Sequence, residues 1–202
     1  MRDDRHKWPA IPGTGRPDLV REGISLRLVT APRQTVISGA VSDCLALCGL
    51  SAAIGGGPDM AQGQTYCLRQ RRDRILVVGG PDIADGWHSD LNVAVSDMTS
   101  AYSVIEMAGE RVEQIIRTGT EFDGMQRSAS TSRLWHGYGV LLYRYGRDDQ
   151  FRMHVRSPLL DPVWDMLERQ INVLSGLWAE EAASGRSAGQ TEPTRFPCRE
   201  AS

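Results

Sequence analysis

Cys44 and Cys48 stand four residues apart in a run that also carries Ile37, Ala40, Val41 and Leu45. On a helix that spacing could bring two thiolates to one metal ion. A tetrahedral site needs further ligands, and the sequence offers none nearby: Cys67 falls on a strand pattern, Cys198 near the end, and no histidine is close in the chain. The stripe is apolar, where a free cysteine behaves as a small hydrophobe. Both residues are read as core, and no metal ligands are assigned.

The histidines, His6, His88, His136 and His154, are scattered. None stands beside a serine or cysteine in a nucleophile motif, and the paired-histidine spacing of a zinc protease is missing. His154 occupies a polar position of an alternating strand and is expected on its polar face. The glycine clusters at 13–15, 55–57 and 79–80 lack the flanking elements and the lysine that phosphate-cradling loops need, so they are read as turns. Arg69, Arg71, Arg72 and Arg74 form a basic hairpin tip without interleaved aromatics, which reads as a solvated turn. Arg144, Arg152 and Arg156 lie on a second hairpin, where they could meet an acidic partner or face water. No catalytic constellation emerges, and no catalytic or cofactor-binding residue is assigned.

The elements that position these residues centre on 94–171. Residues 137–145 are rich in β-branched and aromatic types, and 146–149 reads as a turn. Residues 151–156 alternate apolar and charged, the period of a half-buried strand. Ser157 and Pro158 open a helix on which Leu159, Leu160, Val163, Trp164, Leu167 and Ile171 make one apolar stripe. Upstream, 24–29 alternates as a strand. A helix is expected after Pro32, carrying Ile37 to Cys48 and stopped by Gly49. Strands are expected at 65–70, 74–78, 93–95 and 102–107. Residues 83–92 read as a loop or short helix, 109–117 as a helix stopped by Gly119, and 122–133 as a polar connector. The order suggests an α+β fold of two similar antiparallel sheet-plus-helix modules. Residues 1–22 read as an extended arm, 23–174 as the folded domain, and 175–202 as a disordered tail.

The chain has 202 residues, 41% of them hydrophobic, with four cysteines and a net charge of −2. That suffices for one packed domain. No apolar run approaches the ~20 residues of a membrane span. The near-neutral charge gives no case for nucleic acid. A charged start without an apolar centre, and few cysteines, make the cytoplasm the expected compartment.

Four stretches together carry a family resemblance. Residues 75–82 with Trp87, residues 95–109, Thr131 to Leu134, and Phe151 through Arg156 and Ser157 to Trp164 follow one another as in the sarcosine oxidase gamma subunit family. The resemblance spans about 24–174. It implies a fold like the folate-binding glycine cleavage T-protein and its tRNA-modifying relatives, with ferredoxin-like halves. It also implies a non-catalytic subunit of a heterotetramer that demethylates sarcosine or another N-methyl amino acid. Alpha, beta and delta subunits would be its partners, and FAD, FMN, NAD, tetrahydrofolate and zinc would sit on them. Where the T-protein places an acidic pair at the start of a hairpin strand, this chain has Tyr138 and Gly139. Neither can replace a carboxylate that stabilises positive charge on a folate amine. Trp8, Trp87, Trp135 and arginines are the expected docking anchors, and Trp164 is expected in the core. The competing expectation is a stand-alone folate-binding aminomethyltransferase-like or tRNA-modification protein.

Overall fold

The computed structural model describes residues 16–21 and 23–187. Trp8, His6 and Cys198 lie outside them. Two antiparallel sheets stack face to face, and helices cover both outer faces. The first sheet runs β1 (Leu19–Arg21), β2 (Ile24–Val29), β9 (Tyr102–Ala108), β12 (Arg147–Arg156), β11 (Tyr138–Tyr145), β10 (Ser132–Trp135), with β4 (Met60–Ala61) pairing β11 in parallel. The second runs β5 (Tyr66–Arg71), β6 (Arg74–Val78), β3 (Gln34–Ser38), β8 (Val93–Asp97), β7 (Gly86–His88).

Side chains alternate strictly between layers, as the pleat requires. Val140, Leu142, Phe151, Met153 and Val155 face α2 (Val112–Arg117) and α3 (Leu160–Ser187). Trp164 is buried there, as its place on the stripe led us to expect. Leu141 and Tyr143 face the other way, onto Tyr66, Leu68, Leu76 and Val78 of the second sheet. That sheet's far side packs Ile37, Ile75, Val77, Val93 and Val95 under α1 (Val41–Cys48). The architecture is thus α+β with two antiparallel sheets.

Several expectations change. Ile37 lies on β3, not on the helix; Gly39 at φ 151° breaks the chain between them, so α1 starts only at Val41. It ends at Gly49, whose φ of 68° lets its N–H reach Ala46 O, while Leu50 N–H reaches Leu45 O. Gly119 is not the stop of α2, which is closed by Thr118. The turn expected at 146–149 tightens to Gly146, because Arg147 already pairs with Tyr145. The 83–92 segment contributes an edge strand, and the polar connector ends in β10. α3 continues past Leu174 to Ser187 and buries Trp178 against the same core, so the expected tail begins as helix. β1 likewise falls within the expected arm, and Arg16 bonds Asp161 and Asp165 of α3.

The sheets are also interleaved. After β2 the chain leaves for the second sheet to make β3, and after β8 it returns to make β9 beside β2. The first sheet therefore draws on separated stretches of sequence, while the strands of the second lie within 34–97.

Candidate functional site

The polar residues of the fold converge between the sheets. Strand alternation turns Gln34 of β3, Glu106 of β9, and Arg152 and His154 of β12 inward. Gln34 is 1% exposed, Glu106 2% and His154 0%. The strand carrying His154 is therefore not half-buried. Its polar face is covered by the second sheet, which corrects the expectation that this histidine faces water.

These side chains form one hydrogen-bonded chain whose direction can be assigned from its end. Gln34 Nε2 donates to Tyr102 O at 3.1 Å and Thr99 O at 3.3 Å, which leaves Gln34 Oε1 as an acceptor. His154 Nδ1 lies 2.8 Å from that oxygen and must carry the proton. Its Nε2 is then an acceptor, filled by Tyr143 OH at 2.8 Å. Tyr66 OH donates to the Tyr143 oxygen at 2.8 Å, and Arg152 Nη1 donates to Tyr66 at 3.3 Å. Arg152 Nε also bonds Glu106 Oε2 at 2.9 Å, while Arg27 holds the other carboxylate oxygen. Each member is satisfied, which is what permits so many polar atoms between two sheets.

The environment fixes protonation. Burial, aided by the Arg152 charge, lowers the pKa of His154 to about 3, so its ring is neutral at pH 7. Burial drives the Tyr143 phenol well above its ordinary range. Burial works to raise the Glu106 pKa, but the bonds from Arg27 and Arg152 outweigh it and hold the carboxyl below its usual value. A buried neutral imidazole between an amide and a phenol cannot exchange protons with a substrate at neutral pH. The chain's work is to lock one sheet onto the other.

The remaining candidates disperse. Cys44, Cys48 and Cys67 are free thiols in one apolar cluster, where sequence separation had set Cys67 apart. Burial pushes Cys48 up to about 11 and Cys67 up to about 12, against thiolate chemistry. His88 sits near the surface on Ala84 O, and His136 packs edge-on to Trp135. Trp135 is 0% exposed, with Nε1 donating to Ile116 O, and is a core residue, not a docking anchor. Trp87 is 63% exposed. Arg144 is buried, not available to a partner: it bonds Glu113 at 2.5 Å, Gly57 O at 2.8 Å and Gly124 O at 2.7 Å. Arg152 is held in the inter-sheet chain. The 55–57 glycines are more than a turn: Gly56 and Ser128 exchange backbone bonds at 2.8 and 3.1 Å, and any Cβ on Gly57 would meet Gln126 O at 2.0 Å.

A cleft of about 380 Å³ opens where β10 meets the β5–β6 hairpin. Arg71, Arg74, Arg133 and Arg156 line it together with Gly139, and no carboxylate does.

No family model matches the chain, and no curated protein matches it. The layered architecture is similar to that of a chain in a solved structure. A chain of the heterotetrameric sarcosine oxidase from Corynebacterium sp. U-96, solved with pyrrole 2-carboxylate, superimposes with a TM-score of 0.57 at 18% identity. The match covers 78% of this chain and 89% of that one. At this identity it shows a shared fold. Among the described residues no helix is long and apolar enough to cross a membrane.

Proposed function

We propose that this chain is the non-catalytic gamma-type subunit of a heterotetrameric oxidoreductase that demethylates sarcosine or a related N-methyl amino acid. The observation that carries this reading is a fold match spanning 89% of a chain from such an assembly. The chemistry of the chain agrees with it. The one deeply buried histidine among the described residues is neutral and closed off, and Gly139, near the start of β11, adjoins arginines where folate chemistry would call for a carboxylate. Alpha, beta and delta subunits would supply FAD, FMN, NAD, tetrahydrofolate and zinc. The kinship with the T-protein fold belongs to the same reading.

Co-expression with candidate flavoprotein and small zinc-binding partner subunits tests the proposal. A yellow complex that contains this chain and oxidises an N-methyl amino acid is expected. Recovery of the chain as a monomer that turns over substrate unaided, or that binds a reduced folate at micromolar concentration by calorimetry, would favour the stand-alone folate protein instead.

A further inference from the structure

Several arginines in this protein are paired with carboxylates, and four that are not converge on one cleft. Arg16, Arg27, Arg33, Arg144, Arg147 and Arg152 each meet a carboxylate. Arg71, Arg74, Arg133 and Arg156, brought together from both sheets, meet none among the described residues. Two are held in place by neutral acceptors only: Arg74 Nε donates to Ser38 Oγ at 3.1 Å, and Arg133 Nη1 to Ser132 O at 2.8 Å. Gln70, 7% exposed, lines the same cleft with its Nε2 lacking any acceptor. Val140 and Leu141 are buried behind the cleft, and Leu134 at its edge is 67% exposed.

Four like charges around one concave surface focus a positive potential, in a chain whose net charge is −2. A free phosphate or carboxylate would answer the guanidiniums but leave Leu134 bare. Nucleic acid is disfavoured by the acidic balance of the chain and by a lining whose one aromatic is Tyr102, short of a stacking platform. The geometry points to a docking site here for a carboxylate-bearing segment of a partner polypeptide. Its acidic side chains pair with Arg133 and Arg156, and an apolar side chain covers Leu134. This inference rests on the reading of the chain as a subunit.

The full-length chain is titrated against a fluorescein-labelled hexaglutamate peptide by anisotropy, beside inorganic phosphate as competitor. Micromolar peptide binding is expected, weakened about tenfold or more in Arg133→Glu/Arg156→Glu and partly in Arg133→Gln/Arg156→Gln, with circular dichroism unchanged. Equal binding by wild type and both variants, or displacement by phosphate at equal concentration, overturns the inference. In the co-expressed complex, amide exchange at 69–74 and 132–135 is expected to slow relative to the free chain. A complex that forms with those segments still exchanging freely sinks this site and leaves the subunit reading standing. Failure of any complex to form sinks the subunit reading, and the peptide titration then decides the site alone.

Discussion

His154 Nδ1 lies 2.8 Å from Gln34 Oε1, and 120 residues separate the two along the chain. The bond joins β12 of one sheet to β3 of the other, and it sets the sense of the polar chain behind it. Gln34→Leu should therefore cost about 2–4 kcal/mol, because it strands the buried imidazole N–H of His154 between the sheets. Urea unfolding measures the loss.

The histidine also ties stability to pH. Folded, it titrates near 3; unfolded, near its ordinary 6.5. Between those values the unfolded chain binds a proton that the folded chain refuses, so stability is full above about pH 6.5 and falls as pH drops towards 3. The slope from this group is at most about 1.4 kcal/mol per pH unit. His154→Gln should flatten the curve between pH 6.5 and 5, where carboxylates scarcely titrate, whatever it does to stability at neutral pH. Nitrogen NMR of the wild type should show the proton on Nδ1.

Glu106 is gripped by two arginines at 2% exposure, whereas the Glu113–Arg117 pair lies on the surface. Glu106→Gln should destabilise by about 3 kcal/mol, since it leaves Arg152 under-compensated between the sheets. Arg117→Gln should change stability by less than about 0.5 kcal/mol. Equal effects in thermal unfolding would refute the assignment of Glu106 as the anchor of the chain.

Gly57 has a φ of 85° and no room for a Cβ, while Gly49 has a φ of 68° and open space around it. Gly49→Ala should cost about 1 kcal/mol, from backbone conformation alone. Gly57→Ala should cost more than about 2 kcal/mol, because the 126–128 backbone must also move. Denaturant midpoints separate the two.

Trp87→Ala should leave the melting temperature within about 2 °C, given its exposure. Trp135→Ala should cost about 3–5 kcal/mol. The contrast checks the reassignment of Trp135 to the core.

What the sequence disclosed was local. The β11–β12 hairpin, the β5–β6 hairpin around Arg71–Asp73, the Gly49 stop and the apolar stripe under Trp164 follow from period and turn chemistry. Burial by distant segments was not legible. Alternation at 151–156 marks two faces but does not say that both are covered, so His154 looked like a surface residue. Trp135 and Arg144 were misjudged for the same reason, and the packing of Cys67, rightly read on a strand, against the α1 cysteines was not foreseen: their partners are contributed by other elements. The arginine cleft assembles from positions 71, 74, 133 and 156, which no window of sequence unites.

Because β2 is claimed by one sheet and β3, directly after it, by the other, no cut through the middle of the gene yields two self-sufficient products. A cut between β8 and β9 keeps the five strands of the second sheet together but strips β1, β2 and β4 from the first. Each product would then carry bare strand edges that the whole chain covers.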